Sequence, residues 1–157
     1  MHLTVRSNHA MRLMMYCALN DGRIAPVAEI ARACNMSEAH LAKIANRLAA
    51  GGFVETLRGR GGGVRLARKA DAISVGAVVR ATETGAILLE CFDLTTNTCP
   101  LVSACKFRGL VRTALDAFLA VLDRATLADM IEGGHDMSAL MGLPRLGCAR
   151  ASQNAAE

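Results

Sequence analysis

Three of the chain's six cysteines, Cys91, Cys99 and Cys105, fall in one short stretch, separated by seven and then five residues. Thiols crowded in this way hold a metal ion or an iron–sulfur cluster, exchange disulfides, or sit together by coincidence. Structural zinc sites usually bring cysteine pairs two to four residues apart and four ligands in all. That pairing is absent here and no histidine lies between residues 41 and 134, so zinc fits poorly. An iron–sulfur cluster is wider than a single ion and tolerates longer loops between its thiolates. Three cysteines would leave one iron with a different ligand, open to exchange, to oxidant or to a diatomic gas. A disulfide switch between two of the three is a further reading, and spacing alone leaves these readings open. Of the other cysteines, Cys17 falls on the apolar face of a helix as a buried structural thiol, and Cys148 sits incidentally in the C-terminal tail.

A second group of residues suits contact with DNA. Ser37 is set to cap a helix from Glu38 to about Ala50, whose apolar stripe is Leu41, Ile44, Ala45 and Leu48. Its opposite face carries Glu38, His40, Lys43, Asn46 and Arg47. The short helix before it opens near Pro26 and buries Val27, Ile30 and Ala31. Two helices joined by a tight turn, the second polar-faced, predict a helix-turn-helix in which Ser37, His40 and Lys43 face the major groove. Next, Phe53–Leu57 and Val64–Ala67 read as strands joined by Arg58-Gly-Arg-Gly-Gly-Gly63. A hairpin in that position is the wing of a winged helix, with Arg58 and Arg60 entering or flanking the minor groove. The bland alternatives are a solvated basic hairpin or a phosphate-binding loop. The latter lacks the Lys-Ser/Thr ending of a P-loop and runs into a strand rather than a helix.

These groups need elements to position them. Ser7 or Asn8 is placed to cap a first helix running to about Asn20, with Ala10, Leu13, Met14, Cys17 and Ala18 facing inward. Ser74 caps a helix from Val75 to about Thr82. From about Ala104 a long helix carries Phe107, Val111, Ala114, Phe118 and Val121 at alternating spacings of four and three, widened by Leu110, Leu115, Leu119 and Leu122. So broad a stripe predicts an intersubunit helix pair, and a two-fold dimer would offer two recognition helices to a palindromic operator. A last short helix is expected over residues 126–131, and after Gly133 the periodicity fades. The predicted fold is mainly α with a small β-hairpin. It comprises a winged helix-turn-helix over residues 1–84, a cysteine loop over 85–105, a dimerisation helix region over 106–132 and a flexible tail over 133–157.

Composition narrows the function. Of 157 residues 52% are apolar and 20% charged, with a net charge of +4 and a pI near 8.9. No uncharged window of 18 residues and no signal-peptide core is present, so neither a membrane nor export is expected. A cytoplasmic protein keeps its thiols reduced, which favours metal-binding or redox-sensing cysteines over structural disulfides. The mildly basic balance permits a nucleic-acid partner. Aromatics at 3% are too few for base-stacking platforms of the single-strand-binding kind. No carboxylate–histidine constellation stands beside the cysteines and no nucleotide fingerprint occurs, so neither an enzyme nor a small-molecule substrate is expected.

Taken together, residues 1 to 132 resemble the iron–sulfur winged-helix transcription regulators that include IscR, NsrR and RirA. The resemblance rests on Leu3-Thr4, Glu29-Ile-Ala31, Leu48-Ala-Ala-Gly-Gly-Phe-Val54, the glycine-rich wing through Leu66, Ile73-Ser-Val-Gly-Ala-Val-Val79, the three cysteines and Leu127-Ala-Asp129. Within the family, Arg12-Leu-Met-Met-Tyr-Cys-Ala18, Asn20-Asp-Gly22, Val54-Glu-Thr56, Glu90-Cys-Phe92 and Cys99-Pro-Leu-Val102 are most similar to the iron-responsive RirA type, with the nitric-oxide-sensing NsrR type close behind. The resemblance implies a homodimer carrying one 4Fe–4S cluster per subunit, ligated by Cys91, Cys99 and Cys105, that represses genes by binding double-stranded operator DNA. Cluster binding would fix the cysteine loop and set the spacing of the recognition helices. The chain departs from the pattern at the fourth ligand. Lys106-Phe107-Arg108 stand where the IscR type has a histidine, and Asn8, a poor ligand for iron, stands beside His9 where NsrR types often have an aspartate, which leaves water or hydroxide, His9 or, least suited, Asn8 as the fourth ligand. The implied signal is iron availability or redox state. Nitric oxide, or a thiol switch without a cluster, is the alternative.

Overall fold

A computed structural model describes residues 3–20, 22–83, 89–93, 95–133 and 135–143. Helix α1 (Val5–Leu19) runs through the core and buries Ala10, Leu13, Met14, Tyr16 and Cys17. Its N-cap is Thr4, whose hydroxyl accepts the Ser7 amide at 3.4 Å. The expected cap at Ser7 or Asn8 is therefore corrected. Ser7 lies inside the helix, buried, with its hydroxyl 2.7 Å from that of Thr82.

Helix α2 (Val27–Ala33) follows Pro26 and ends before Asn35, which adopts a left-handed φ of 53°. Helix α3 (Glu38–Ala50) begins at Ser37, whose Oγ accepts the His40 amide at 3.3 Å. Its buried residues are the predicted Leu41, Ile44, Ala45 and Leu48. Tyr16 donates its hydroxyl to Glu29, which also pairs with Arg23, so one carboxylate ties α1, α2 and the turn between them.

The hairpin consists of β1 (Val54–Leu57) and β2 (Gly63–Leu66), antiparallel, with Val54 opposite Leu66 and Leu57 opposite Gly63. Both strands start one residue away from the sequence expectation. Phe53 packs in the core while its carbonyl accepts the Ala67 amide at 3.0 Å, and Gly63 takes the place opposite Leu57. Val64 also exchanges two backbone hydrogen bonds with Ala25, at 2.9 and 2.8 Å. That approach requires a glycine at position 63, because a Cβ there would stand 2.2 Å from the Ala25 carbonyl oxygen.

Helix α4 (Val75–Thr82) is capped by Ser74, which accepts the Ala77 amide at 3.3 Å. Helix α5 (Lys106–Arg124) rests on α4, yet none of its residues is fully buried. The helix expected over 126–131 is corrected. Thr126 pairs with Ser74 as an isolated bridge, and only Asp129–Ile131 turn, as a 3-10 helix. Thr126 and Asp129 cap each other reciprocally, at 2.7 and 3.2 Å. Leu127, fully buried, anchors this return to the core. The expected loss of periodicity after Gly133 is also corrected, because α6 (His135–Leu140) forms there and Met137, Met141 and Leu143 pack against the core. Cys148 lies outside the described residues.

Candidate functional site

The chain between α4 and α5 carries the three cysteines. Cys91 is buried in a 3-10 turn, Glu90–Phe92. Cys99 is half-buried, and its amide is held by the Asn97 side chain at 3.1 Å. Cys105 is the N-cap of α5, its Sγ accepting the Arg108 amide at 3.4 Å. Asp93 shapes the loop by accepting hydrogen bonds from the amide and hydroxyl of Thr95 and from the Thr96 hydroxyl, at 2.9, 2.6 and 3.0 Å. The Thr95 hydroxyl, above all, holds the Asp93 carboxyl below its ordinary range.

All three thiols are free. Among the described residues no three or more histidine, cysteine or acidic side chains converge at metal-binding distance, so the fold puts Cys91, Cys99 and Cys105 on one connection without gathering their sulfurs. The donor set nonetheless suits an iron–sulfur cluster: three unbonded thiols, one of them at a helix N-terminus whose amide hydrogen would serve a metal-bound thiolate equally well.

Two arginines that sequence reading passed over brace this loop. Arg108 donates its Nε to the Cys91 carbonyl at 3.1 Å, and the Arg112 guanidinium lies over the Phe92 ring, 5.3 Å from its centroid. Their spacing of four residues on one helix face, beside the third cysteine, was the available signal.

The proposed fourth ligands lie on α1. Asn8 is exposed. His9 packs edge-on against His40 of α3, with ring centroids 5.1 Å apart. His9 Nδ1 and His40 Nε2 are both enclosed without a hydrogen-bond partner. Burial first, then the neighbouring His40 and Arg12, lowers the His9 pKa. The start of α1 is also tied to the end of α4. Glu83 accepts the Thr4 amide at 2.7 Å, the Thr4 hydroxyl at 2.9 Å and the Ser7 hydroxyl. Burial alone would raise the Glu83 pKa, but these hydrogen bonds outweigh it and the pKa falls.

On the other side of α3, Ser37 and Lys43 are exposed, while His40 is half-buried against His9. Arg47 is turned to structure, donating to the Ala81 carbonyl at 2.8 Å. Arg58 and Arg60 project from the wing tip and are exposed. Gly59 and Gly61 there take positive φ values of 92° and 80°, and a Cβ on Gly62 would meet the Leu57 carbonyl oxygen at 2.4 Å. Arg65, by contrast, is paired across the hairpin with Glu55 at 2.7 Å. A cleft of about 200 Å³, lined by Ala42, Asn46, Thr56 and Gly59 among others, separates α3 from the wing.

A helix-turn-helix of this kind, with a polar-faced second helix and a basic wing, is a DNA-binding architecture. Among the described residues no helix is long and apolar enough to cross a membrane. The fold is shared with solved regulators: IscR of T. potens (TM-score 0.67, 22% identity, 87% of this chain and 90% of that one) and CymR, the global cysteine regulator of B. subtilis (TM-score 0.64, 25% identity, 85% and 98%). In sequence the chain is 43% identical over 143 residues to protein aau3 of Rhizobium meliloti, covering 91% of this chain and 93% of that protein. It is 42% identical over 142 residues to the HTH-type transcriptional regulator NsrR of Geobacillus kaustophilus, covering 90% and 97%. Residues 3–133 match the Rrf2 family, described as iron-dependent transcriptional regulators. The chain belongs to the Rrf2 family and is a winged-helix transcription regulator, not an enzyme.

Proposed function

We propose that this regulator is a cytoplasmic homodimeric repressor whose hold on operator DNA is controlled by a 4Fe–4S cluster on Cys91, Cys99 and Cys105, one per subunit. The observation that carries this reading is the placement of Cys105. It is at once the last of three free thiols and the N-cap of a long helix whose apolar residues Phe107, Leu110 and Val121 stand exposed in the single chain. A bound cluster supplies an iron centre that responds to iron supply, oxidant or nitric oxide.

The chain's residues do the rest. Cys91, Cys99 and Cys105 join the loop to the head of α5. The exposed face of α5 pairs with a second subunit, and α4 relays the position of α5 to the winged domain. Ser37, His40 and Lys43 address the major groove, and Arg58 and Arg60 the minor groove. The fourth ligand is water or hydroxide, or His9, with Asn8 the least suited. Iron availability or redox state is the signal first proposed. The NsrR relatives support nitric oxide as the second reading.

The test is anaerobic reconstitution followed by operator binding, using duplexes selected from a random pool, before and after iron chelation or nitric oxide. A brown protein that changes affinity on chelation and responds slowly to nitric oxide supports the iron reading, and the reverse order supports the nitric-oxide one. A colourless protein with reducible crosslinks would point to a thiol switch. Equal affinity of cluster-loaded and cluster-free protein would sink the sensor reading.

A further inference from the structure

Arg108 makes two contacts to the candidate ligand set from one residue. Its backbone amide donates to Cys105 Sγ at 3.4 Å and its side-chain Nε to the Cys91 carbonyl at 3.1 Å. One turn later on α5, Arg112 lies over Phe92, the neighbour of Cys91, at 5.3 Å. The turn Glu90–Phe92 is thus fastened to α5 at two successive points, and these contacts span the fourteen-residue step between the first and third cysteines. Cys91 itself is buried. Asp93 and Asn97 bond only within the loop.

We propose that Arg108 and Arg112 are positioning residues of the cysteine site, clamping the Cys91 turn to the helix that begins at Cys105 and placing two cations beside the ligand set. This rests on the cluster reading above. The clamp has three consequences. It holds the first and third ligands in a fixed register before any metal arrives, which reduces the ordering that binding must impose. It supplies donors at the edge of a site where three thiolates bring negative charge, the role that outer hydrogen-bonding partners have in metal centres generally. It also ties the turn to α5, the helix whose apolar face is the proposed subunit contact, so release of the loop reaches that helix. Arginine suits this position better than lysine, because a planar guanidinium donates to a carbonyl along one edge and stacks on an aromatic face.

The test uses the full chain, with Arg108→Gln, Arg108→Lys, Arg112→Leu and Arg112→Lys. In cluster-free protein, the rate of Cys91 alkylation is followed by mass spectrometry, with buried Cys17 as the control for global unfolding. Faster Cys91 alkylation in Arg108→Gln and Arg112→Leu at an unchanged Cys17 rate is expected. In reconstituted protein the same two variants should lose visible absorbance to a chelator roughly tenfold faster than wild type. Their reduction potential should fall, since a reduced cluster loses a neighbouring cation, while Arg108→Lys and Arg112→Lys retain the wild-type potential. Wild type that takes no cluster would defeat the cluster reading, yet the alkylation arm would still report on the clamp. Cys91 rates unchanged, or rising only in step with Cys17, would overturn the clamp. So would loss rates and potentials that match wild type in every variant.

Discussion

Arg80 and Asp123 meet in a two-pronged ion pair across α4 and α5, both hydrogen bonds 2.5 Å long. Gly76, one turn earlier on α4, makes the approach possible: a Cβ there would lie 2.1 Å from Asp123 Oδ1 and 3.0 Å from the Asp123 amide nitrogen. The pair joins the last turn of α5 to the winged domain. Both side chains are exposed, so the contact sets geometry more than stability.

Asp123→Asn is expected to leave the melting temperature close to wild type while lowering operator affinity, read by fluorescence anisotropy. Arg80 holds the Asp123 carboxyl below its ordinary range. The tie is therefore present above the unfolded carboxylate pKa and is lost as pH falls through the lowered folded value. Gly76→Val forces α5 away and should cost about 1–3 kcal/mol in denaturant unfolding. An affinity unchanged in both variants would break the proposed relay from α5 to the wing.

Serine at Cys91, Cys99 or Cys105 should abolish the visible absorbance of the reconstituted protein, whereas Cys17→Ala and Cys34→Ala should keep it. Cys17 is buried, its thiol pushed up to about 12 chiefly by desolvation, and burial likewise raises Cys34. Such thiols are poor ligands and nucleophiles at neutral pH. Retained absorbance in any of the three serine variants would remove that residue from the ligand set.

Lys43→Ala should weaken binding to all duplexes alike and reduce the slope of log affinity against log salt by about one unit. Arg58→Ala should cost roughly 1–3 kcal/mol at the selected operator if the wing reads a base there. A uniform loss across sequences for Arg58→Ala would make it a phosphate contact instead. Arg65, already paired with Glu55, should matter little to either measurement.

Tyr16 offers a test of the scaffold that is independent of DNA. Burial, and then the hydrogen bond donated to Glu29, pushes its pKa up to about 12. A raised folded pKa contributes stability that is whole below the unfolded tyrosine value of about 10 and is lost as pH climbs through the folded one. Tyr16→Phe should cost about 1–3 kcal/mol at neutral pH by removing a donor to a charged group. It should also flatten the alkaline limb of the stability curve, measured by urea unfolding at stepped pH.

Much of this fold was readable because its determinants are local. Ser37 and Ser74 stand three residues before the amides they cap, and the inward residues of α3 keep helical spacing. The hairpin announced itself through glycines between two apolar runs, and three crowded cysteines marked the candidate site. Where two local solutions were equal, pattern could not choose. Thr4 and Ser7 are both able to cap α1, and the decision came from Thr82 and Glu83, some eighty residues away. Residues 126–131 have helical composition, yet Thr126 was claimed by a bridge to Ser74.

The amino-acid sequence by itself determined the winged architecture, the identity of the cysteines and the apolar face of α5, because each is written in spacings of a few residues. Only the tertiary structure decided that Cys105 heads α5, that Arg108 and Arg112 fasten the Cys91 turn to that helix, and that His9 lies against His40. Those relations join residues distant in the chain through contacts that depend on how helices cross, and crossing geometry has no signature in local periodicity.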